Sequence, residues 1–339
     1  MFMTIPTPTY SIDTRRFRVI RELRDRGTIA ATAKALNITP SAVSQQITSL
    51  SKEIGAPLLS PHGRGVRLTP QAHILINHAM VIDRQLELAH TELAAINEGK
   101  MGHITIGSFA SIIPDLVAPA LSRLNEIRPL LQISIREIDT YTDTDSFFKS
   151  LDARDIDLAL SVDFPDGPRW AHNRYTRVDL LNDPFLAAVA ENHPLAGKET
   201  IELQDLAGQL WIMAPTLNPS REVTLMACSS VGFKPNIRHF IDNWISLLSL
   251  VANGAGVALV PRMATFGSAF PGVALRPLSG FRGLGRHIYA AVRAGSEKNP
   301  DIASALDVLR EISGKLISLQ NGNYYTSFVH DNYVNPNTQ

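Results

Sequence analysis

The chain has 339 residues, 32 basic and 32 acidic side chains, and 45% hydrophobic residues. This length predicts two or three domains, and the composition is that of a globular protein. The single cysteine, Cys228, excludes an internal disulfide and is typical of a reducing compartment. The sequence contains no apolar run of about 18 residues and no recognisable export signal. We therefore expect a cytoplasmic protein without membrane contact.

The neutral net charge conceals an uneven distribution. Residues 1–69 contain ten basic and four acidic side chains, a net charge of +6, which leaves −6 for the remainder. A basic segment on an acidic body suggests a polyanion as the partner of that segment. A solvated charged surface would have the same composition, so charge alone does not decide between the two.

The first part of the chain predicts three short helices. Phe17, Ile20 and Leu23 repeat at helical spacing, and the helix ends near Gly27. Residues 29–36 form a second helix, with Thr28 as its cap. Thr39 and Pro40 begin a third helix, because threonine caps helices and proline is tolerated at the first helical position.

The third helix is amphipathic. Val43, Ile47 and Leu50 fall on one face and are predicted to be buried. Hydroxyl and amide groups fall on the other faces, and such groups can hydrogen-bond base edges and phosphates. These outward residues are Ser41, Ser44, Gln45 and Thr48. The pattern predicts either a DNA-reading helix-turn-helix or an ordinary helical hairpin with solvated polar residues.

Residues 60–70 predict a two-stranded wing. Gly63 and Gly65 flank Arg64, and residues 66–68 have the character of a short strand. An arginine at the tip of such a wing could reach a phosphate or the minor groove. The alternative is a simple hairpin with an exposed arginine.

A long helix is predicted over residues 70–97. Apolar residues recur along it at alternating steps of three and four: Ala72, Leu75, Ala79, Ile82, Leu86, Ala89, Leu93 and Ile96. The polar residues between them, such as Asp83, Arg84, Glu87 and Glu92, are expected in solvent. A seam of this kind needs a partner helix, so it favours dimerisation, and the alternative is packing of the helix on its own domain.

Residues 97–102 predict a hinge with two glycines, after which strands and helices alternate. We predict strands at 103–107, 131–138, 157–162, 184–190, 210–214, 237–241, 257–261, 273–278 and 287–292. We predict helices at 113–127, 147–151, 222–231, 243–252 and 303–319. This alternation implies a parallel sheet covered by helices. We expect two α/β lobes with a ligand cleft between them. The chain would pass from the first lobe to the second near residues 163–165 and return near residues 265–270. The tail over residues 320–339 is expected to be mobile.

The order of these parts resembles the LysR-type transcriptional regulator family over residues 10–315. The motif residues in the basic segment include Gly27-Thr28, Ala30-Ala31, Ser41-Ala42-Val43-Ser44, Gly55, Arg64 and Leu68-Thr69-Pro70. Further matches are Ile104–Gly107, His193-Pro194-Leu195-Ala196 and Gly254–Pro261. The position of Gln45 is often arginine in that family. The resemblance implies an α/β protein with a winged helix-turn-helix over 10–69, a dimerisation helix over 70–98 and a hinge over 99–102. A two-lobed effector domain like a type 2 periplasmic binding protein would follow over 103–315, with lobe I at 103–163 and 266–315 and lobe II at 164–265.

The family resemblance also implies roles for individual residues. Pro40, Ser41, Ser44 and Gln45 would approach the major groove, Thr39 would hold a phosphate, and Arg64 would reach the backbone or minor groove. A small effector would contact the loops after the first two strands of the effector domain and the second lobe, namely Ser108, Ser111, Thr140, Pro215, Thr216 and Asn243. Each of these six could instead be an ordinary capping or turn residue.

We therefore expect a ligand-responsive regulator that binds double-stranded promoter DNA and a small-molecule effector. It would be a dimer through residues 70–97 and a tetramer through its two-lobed domains. The sequence has no catalytic motif and no metal-ligand spacing, so we expect no enzyme activity, no cofactor and no metal. The alternative is a small-molecule binding or transport-type protein whose N-terminal segment is only an interaction module.

Overall fold

The protein is described here from a computed structural model. The described residues are 13, 16–62, 65–96, 102–138, 146–164, 174–216, 218–265, 270–279 and 284–321. The chain divides into two compact units, Met1–Glu87 and Leu88–Gln339, which we name the head and the effector domain. Within the described part of the chain, no helix is both long and apolar enough to cross a membrane.

The head contains the predicted helices and wing. Its elements are α1 (Phe17–Arg26), α2 (Ile29–Leu36), α3 (Pro40–Ile54), β1 (Leu59–His62), β2 (Gly65–Leu68) and the start of α4 (Pro70–Ile96). Thr28 and Thr39 cap α2 and α3 through their side chains, as predicted. Gly27 and Asn37 adopt positive φ angles of 73° and 53°, which end α1 and α2.

One hydrophobic core holds the head together. The predicted face of α3 is buried, since Val43, Ile47 and Leu50 are at most 1% exposed. Phe17, Ile20 and Leu23 of α1 pack in the same cluster. Full burial of a residue of this size contributes about 1.5–3 kcal/mol, so these positions fix the orientation of α3.

Helix α4 divides its apolar residues between two environments. Ala72 and Ala79 of the predicted seam are fully buried in the head core, as is Ile76 beside them, so the first part of the seam packs on its own domain. Leu86 and Leu93, farther along the seam, are 52% and 60% exposed. Exposed apolar side chains also occur outside the predicted seam, at Ile74 and Val81.

One polar residue of α4 differs from its predicted solvent exposure, since Glu87 is only 7% exposed. Asp83 keeps an accessible side chain, as predicted, and forms an ion pair with Arg21 of α1. The prediction used the spacing within the helix alone, and spacing does not reveal which charged groups neighbouring elements bring to the helix.

The effector domain contains ten strands and five helices among its described residues. The strands are β3 (His103–Ser108), β4 (Gln132–Glu137), β5 (Leu158–Asp163), β6 (Tyr175–Ala190), β7 (Ile201–Glu202), β8 (Leu210–Met213), β9 (Asn236–Phe240), β10 (Ala258–Pro261), β11 (Val273–Ser279) and β12 (Gly285–Arg293). The helices are α5 (Ala118–Ile127), α6 (Ser146–Asp152), α7 (Pro219–Ser230), α8 (Trp244–Ala252) and α9 (Pro300–Asn321). Before α5, residues 110–112 form a 3-10 turn and 113–117 a π-helical turn.

The main sheet is mixed, so the prediction of a parallel sheet was wrong in part. Its order is β4-β3-β5-β12-β6-β11-β7, and β10 also pairs with β6. Strands β3, β4 and β5 are parallel, whereas β12 runs antiparallel to both β5 and β6. The alternation of strands and helices predicts parallel strands joined by crossover helices. It does not reveal that a strand late in the chain, β12, inserts between β5 and β6 in the antiparallel direction.

Strand β6 connects the two lobes. Val178 and Leu181 pack in the first hydrophobic core with β3, β5, β12 and α9. Phe185, Ala187 and Val189 pack in the core of the second lobe. The crossing therefore lies inside this strand near Asp183, rather than near residues 163–165. Similarly, Val273 and Ala274 pack in the cores of the second lobe, although the predicted boundary placed them in the first.

Candidate DNA-binding face and effector site

The N-terminus of α3 is fixed by a local hydrogen-bond network. The Thr39 hydroxyl accepts a hydrogen bond from the Ala42 backbone N–H at 3.1 Å and lies 2.9 Å from the Ser41 hydroxyl. The Ser44 hydroxyl donates to the Pro40 carbonyl at 3.1 Å. A capping threonine of this kind contributes about 1 kcal/mol to helix stability. The network holds the first turn of the helix in a defined conformation.

The predicted DNA-reading residues of α3 share one accessible surface. Five of these residues are exposed, namely Thr39, Pro40, Ser41, Gln45 and Thr48. Ser44 is half-buried because its hydroxyl turns back onto the helix backbone. Since the opposite face is anchored in the head core, this polar surface has one fixed direction. Hydroxyl and amide groups on a helix of this size suit a major groove.

Ion pairs neutralise part of the basic charge of the head. Four arginines pair with acids: Arg16 with Glu53, Arg21 with Asp83, Arg24 with Asp25, and Arg26 with Glu22. Lys34, Lys52 and Arg67 are exposed and form no ion pair within the described residues. These three cations, one each on α2, α3 and the wing, are available for phosphates.

The two strands of the wing are present as predicted. Strand β1 pairs antiparallel with β2 from Leu59↔Leu68 to His62↔Gly65. Arg64, predicted at the tip, lies outside the described residues, as do residues 97–101 of the predicted hinge and residues 322–339 of the predicted tail.

Two predicted effector residues are buried in the first lobe. Ser108 is 0% exposed and Ser111 is 2% exposed. The Ser108 hydroxyl donates to the Phe109 carbonyl at 3.3 Å. The Ser111 hydroxyl accepts a hydrogen bond from Arg286 Nη2 at 2.7 Å. Ser111 is therefore held by an arginine that the sequence analysis did not identify.

Arg286 belongs to a buried ion pair at the crossing between the lobes. Its Nε donates to Asp183 Oδ2 at 2.8 Å, and its guanidinium lies 5.0 Å from the centre of the Phe109 ring. Asp183 Oδ1 accepts from the Met263 backbone N–H at 2.9 Å. Burial raises the pKa of Asp183, and the charge of Arg286 opposes that shift. The pair joins β6, β12, the loop after β3 and the segment after β10.

The predicted residues of the second lobe lie near the N-termini of α7 and α8. Pro215 and Thr216 follow β8 and are exposed. Asn243 caps α8, because its Oδ1 accepts from the Ser246 backbone N–H at 3.0 Å. Its side-chain oxygen is therefore engaged within the helix, which was the alternative role considered for this residue. Thr140 lies outside the described residues.

Three residues at this end of the second lobe were missed by the sequence analysis. A pocket there is lined in part by Ser220, Arg221 and Trp244. Each lies within the first two turns of a helix, where a serine, an arginine and a tryptophan carry no sequence signal of their own. Only the approach of the two helices in space brings them together.

The only cysteine is inert. Cys228 is 0% exposed in the core of the second lobe. Burial raises the pKa of its thiol to about 12, so the thiolate is not formed at neutral pH.

A winged helix-turn-helix head, a long helix and a two-lobed α/β domain define a DNA-binding protein with a ligand-binding body. Two family models match the chain: "Bacterial regulatory helix-turn-helix protein, lysR family" over residues 14–73 and "LysR substrate binding domain" over residues 97–313. The chain belongs to the LysR family of transcriptional regulators. It is a ligand-responsive transcription factor that binds promoter DNA and a small-molecule effector and forms oligomers.

Two curated relatives match this chain over most of their length. The chain is 26% identical to the transcriptional dual regulator GltC of Bacillus subtilis, covering 77% of this chain and 84% of the relative. It is 26% identical to the regulator MetR of Escherichia coli, covering 85% and 87%. Among solved structures, an H2O2-bound mutant of OxyR from Corynebacterium glutamicum has 21% identity and a TM-score of 0.55, covering 94% of this chain and 100% of that one. The alternative of a carrier whose head is only an interaction module is not supported.

Proposed function

We propose that the head reads DNA through the exposed face of α3, with Thr39, Pro40, Ser41, Ser44, Gln45, Thr48 and Arg64 as the contacting residues. One observation carries this proposal: Gln45 and Thr48 are exposed on the helix whose opposite face is fully buried. In a DNA-binding role, the amide of Gln45 would meet base edges and Thr39 a phosphate. The exposed cations Lys34, Lys52 and Arg67 would add sequence-independent attraction.

A gel-shift experiment with the DNA upstream of the protein's own gene tests this proposal. We expect Gln45→Glu to weaken binding about tenfold to a hundredfold, because it removes a base contact worth about 1–3 kcal/mol and places an anion in the groove. Gln204→Glu is the matched control, since Gln204 is exposed on the effector domain and receives the same charge change. The two variants and the parent chain are compared at several salt concentrations.

Two results would contradict the assignment of this face. Equal affinities of Gln45→Glu and the parent chain would show that α3 does not face the bases. No retardation above nonspecific background at any salt concentration would argue against DNA binding by the head altogether.

The effector is proposed to bind in the effector domain between the two lobes, near Ser108, Ser111, Thr140, Pro215, Thr216 and Asn243. The geometry supports an effect on conformation, because Ser111 touches Arg286 and that arginine pairs with Asp183 at the lobe crossing. A ligand that contacts both lobes would stabilise the arrangement of the lobes that it binds more tightly. The size of the shift depends on the difference between its affinities for the two arrangements.

Oligomerisation is proposed to use α4 for the dimer and the effector domains for the tetramer. The exposed apolar residues on α4 support the first contact, since Ile74, Val81, Leu86 and Leu93 are each more than 50% exposed. A partner helix along the predicted seam would remove Leu86 and Leu93 from water.

A thiol-based response to peroxide is a second candidate function, because one structural relative is an H2O2-bound OxyR mutant. The state of Cys228 argues against it. We expect no reaction of the native protein with a thiol reagent such as iodoacetamide, and one equivalent of labelling after unfolding, because the thiol is buried and its pKa is about 12. Mass spectrometry counts the label. Rapid labelling of the native chain would reopen the redox function.

We also propose that the protein has no enzyme activity and acts in the cytoplasm. Both follow from its membership of a family of DNA-binding regulators, because promoter DNA is the target.

A further inference from the structure

A small pocket in the second lobe has an unusual set of polar groups. It lies where the end of β8 meets the N-terminal turns of α7 and α8. Ser220, Arg221 and Trp244 contribute its polar side, and Ile212, Leu247 and Leu259 contribute part of its apolar side. Its interior has about the room that one water molecule needs.

Two buried polar atoms at this pocket lack a hydrogen-bond partner among the described residues. They are the Ser220 hydroxyl and the Trp244 indole nitrogen, on residues that are 5% and 8% exposed. Buried polar groups are usually paired, because leaving them unpaired is costly. Neighbouring groups of the same kinds are paired: the Thr224 hydroxyl donates to the Ser220 carbonyl at 2.8 Å, and the Trp211 indole donates to the Leu206 carbonyl at 3.1 Å. An occupant that accepts hydrogen bonds would satisfy both atoms.

The chemistry of these groups limits what the occupant can be. An indole N–H only donates, and a serine hydroxyl can donate as well. The guanidinium of Arg221 donates to the Ala214 carbonyl at 3.1 Å and has further N–H groups. The N-termini of α7 and α8, helices of 12 and 9 residues, add positive potential. The occupant must accept hydrogen bonds, and the local charge favours an anion.

No carboxylate of the protein competes for this position among the described lining residues. Asp242 precedes α8 but is not part of the lining, and its Oδ1 accepts a hydrogen bond from Asn218 Nδ2 at 2.7 Å. Asn218 in turn caps α7 through its Oδ1, which accepts from the Ser220 N–H at 2.9 Å. The Asn218 contact engages only the backbone of Ser220, so its hydroxyl stays without a partner among the described residues.

We propose that this pocket is the anchoring subsite for the effector and that the effector is a small carboxylic acid. One carboxylate oxygen accepts from the Ser220 hydroxyl and the Trp244 indole, and Arg221 contacts the other oxygen at the mouth of the pocket. The pocket has room for that one oxygen only, so the rest of the acid would lie outside it. This inference rests on the proposed function, because it assigns the ligand class and the anchoring residues of the effector site.

The test uses the full chain labelled with fluorotryptophan, with propionate as the probe and propionamide as its neutral analogue of the same shape. Fluorine NMR resolves the tryptophans, and Trp244→Phe identifies the signal of Trp244. We expect a saturable shift of that signal with propionate and none with propionamide. Ser220→Ala and Arg221→Met should each weaken propionate binding about tenfold or more, because each removes a hydrogen bond to a charged group. Ser249→Ala is the control, since its hydroxyl donates to the Ile245 carbonyl within α8.

Three outcomes would overturn the proposal. The first is an equal shift of the Trp244 signal with propionamide or chloride. The second is an unchanged propionate affinity in Ser220→Ala. The third is no shift at any propionate concentration, which would mean that the pocket holds a water molecule only. Gel retardation of promoter DNA is measured on the same samples. If the parent chain binds DNA but does not respond to propionate, only the proposed subsite is wrong. If the parent chain does not bind DNA, the proposed function of the head is wrong.

Discussion

Replacing Asp183 by alanine is expected to lower the free energy of unfolding of the effector domain by about 3–5 kcal/mol. Asp183 is 0% exposed and Arg286 is 3% exposed, so the change leaves a guanidinium buried without its counter-ion. It also removes the acceptor of the Met263 backbone N–H. Urea unfolding followed by tryptophan fluorescence measures this effect. Trp170, Trp211 and Trp244 all lie in the effector domain, so the head does not contribute to the signal.

Two comparisons separate the loss of the ion pair from other effects. Asp307→Asn removes an exposed carboxylate that pairs with Arg310, and it should change stability by less than about 0.5 kcal/mol. The double variant Asp183→Leu with Arg286→Met should cost much less than Asp183→Ala alone, because no charge stays buried without a partner. A loss below about 1 kcal/mol in Asp183→Ala would mean that water reaches Arg286, contrary to its burial.

The sequence predicted the head well because its signals are local. Thr28 and Thr39 cap helices through their own side chains, and Val43, Ile47 and Leu50 define a buried face by spacing alone. Such features need only neighbours within a few residues along the chain. The environment of α4 could not be predicted in the same way, because periodicity identifies an apolar face but not the element that covers it.

The effector domain was harder to predict because its decisive contacts are distant in sequence. Asn182-Asp183-Pro184 has the composition of a turn, yet these residues continue a strand of 16 residues, Tyr175–Ala190. The tertiary contacts decide the outcome: Asn182 Oδ1 lies 2.7 Å from His287 Nδ1, and Asp183 binds Arg286. Arg286 lies just before the predicted strand 287–292 and belonged to no predicted element, so its role at Ser111 had no sequence signal.

The pocket between α7 and α8 shows the same limit. Asn243 was predicted as a ligand contact from family resemblance, but its Oδ1 caps α8. The next residue, Trp244, carries the buried indole nitrogen that has no partner within the described part of the chain. The residues indicated by the resemblance lie at the same end of the lobe as the proposed pocket, whereas the choice of side chain depends on hydrogen bonds that only the structure provides.

Replacing both Leu86 and Leu93 by aspartate is expected to abolish dimer formation at micromolar concentration. Both side chains are more than 50% exposed on α4. A dimer would bury four of them, and since each is only slightly more than half exposed, the loss should be about 3–6 kcal/mol in total and the dissociation constant should rise about 10²- to 10⁴-fold. DNA affinity should fall as well, since two linked heads bind paired half-sites more tightly than one head alone. Analytical ultracentrifugation measures the mass, and gel shift measures the DNA binding.

Leu130→Asp provides the matched control. Leu130 is 60% exposed in the effector domain, so it receives the same change at a similar exposure, and the dimer should persist. Circular dichroism establishes that the double variant keeps its helices, which separates dissociation from unfolding. If the double variant stays dimeric at micromolar concentration, α4 is not the dimer contact. The exposed apolar residues of α4 would then need another partner, because a contiguous apolar surface in water is unfavourable for a monomer.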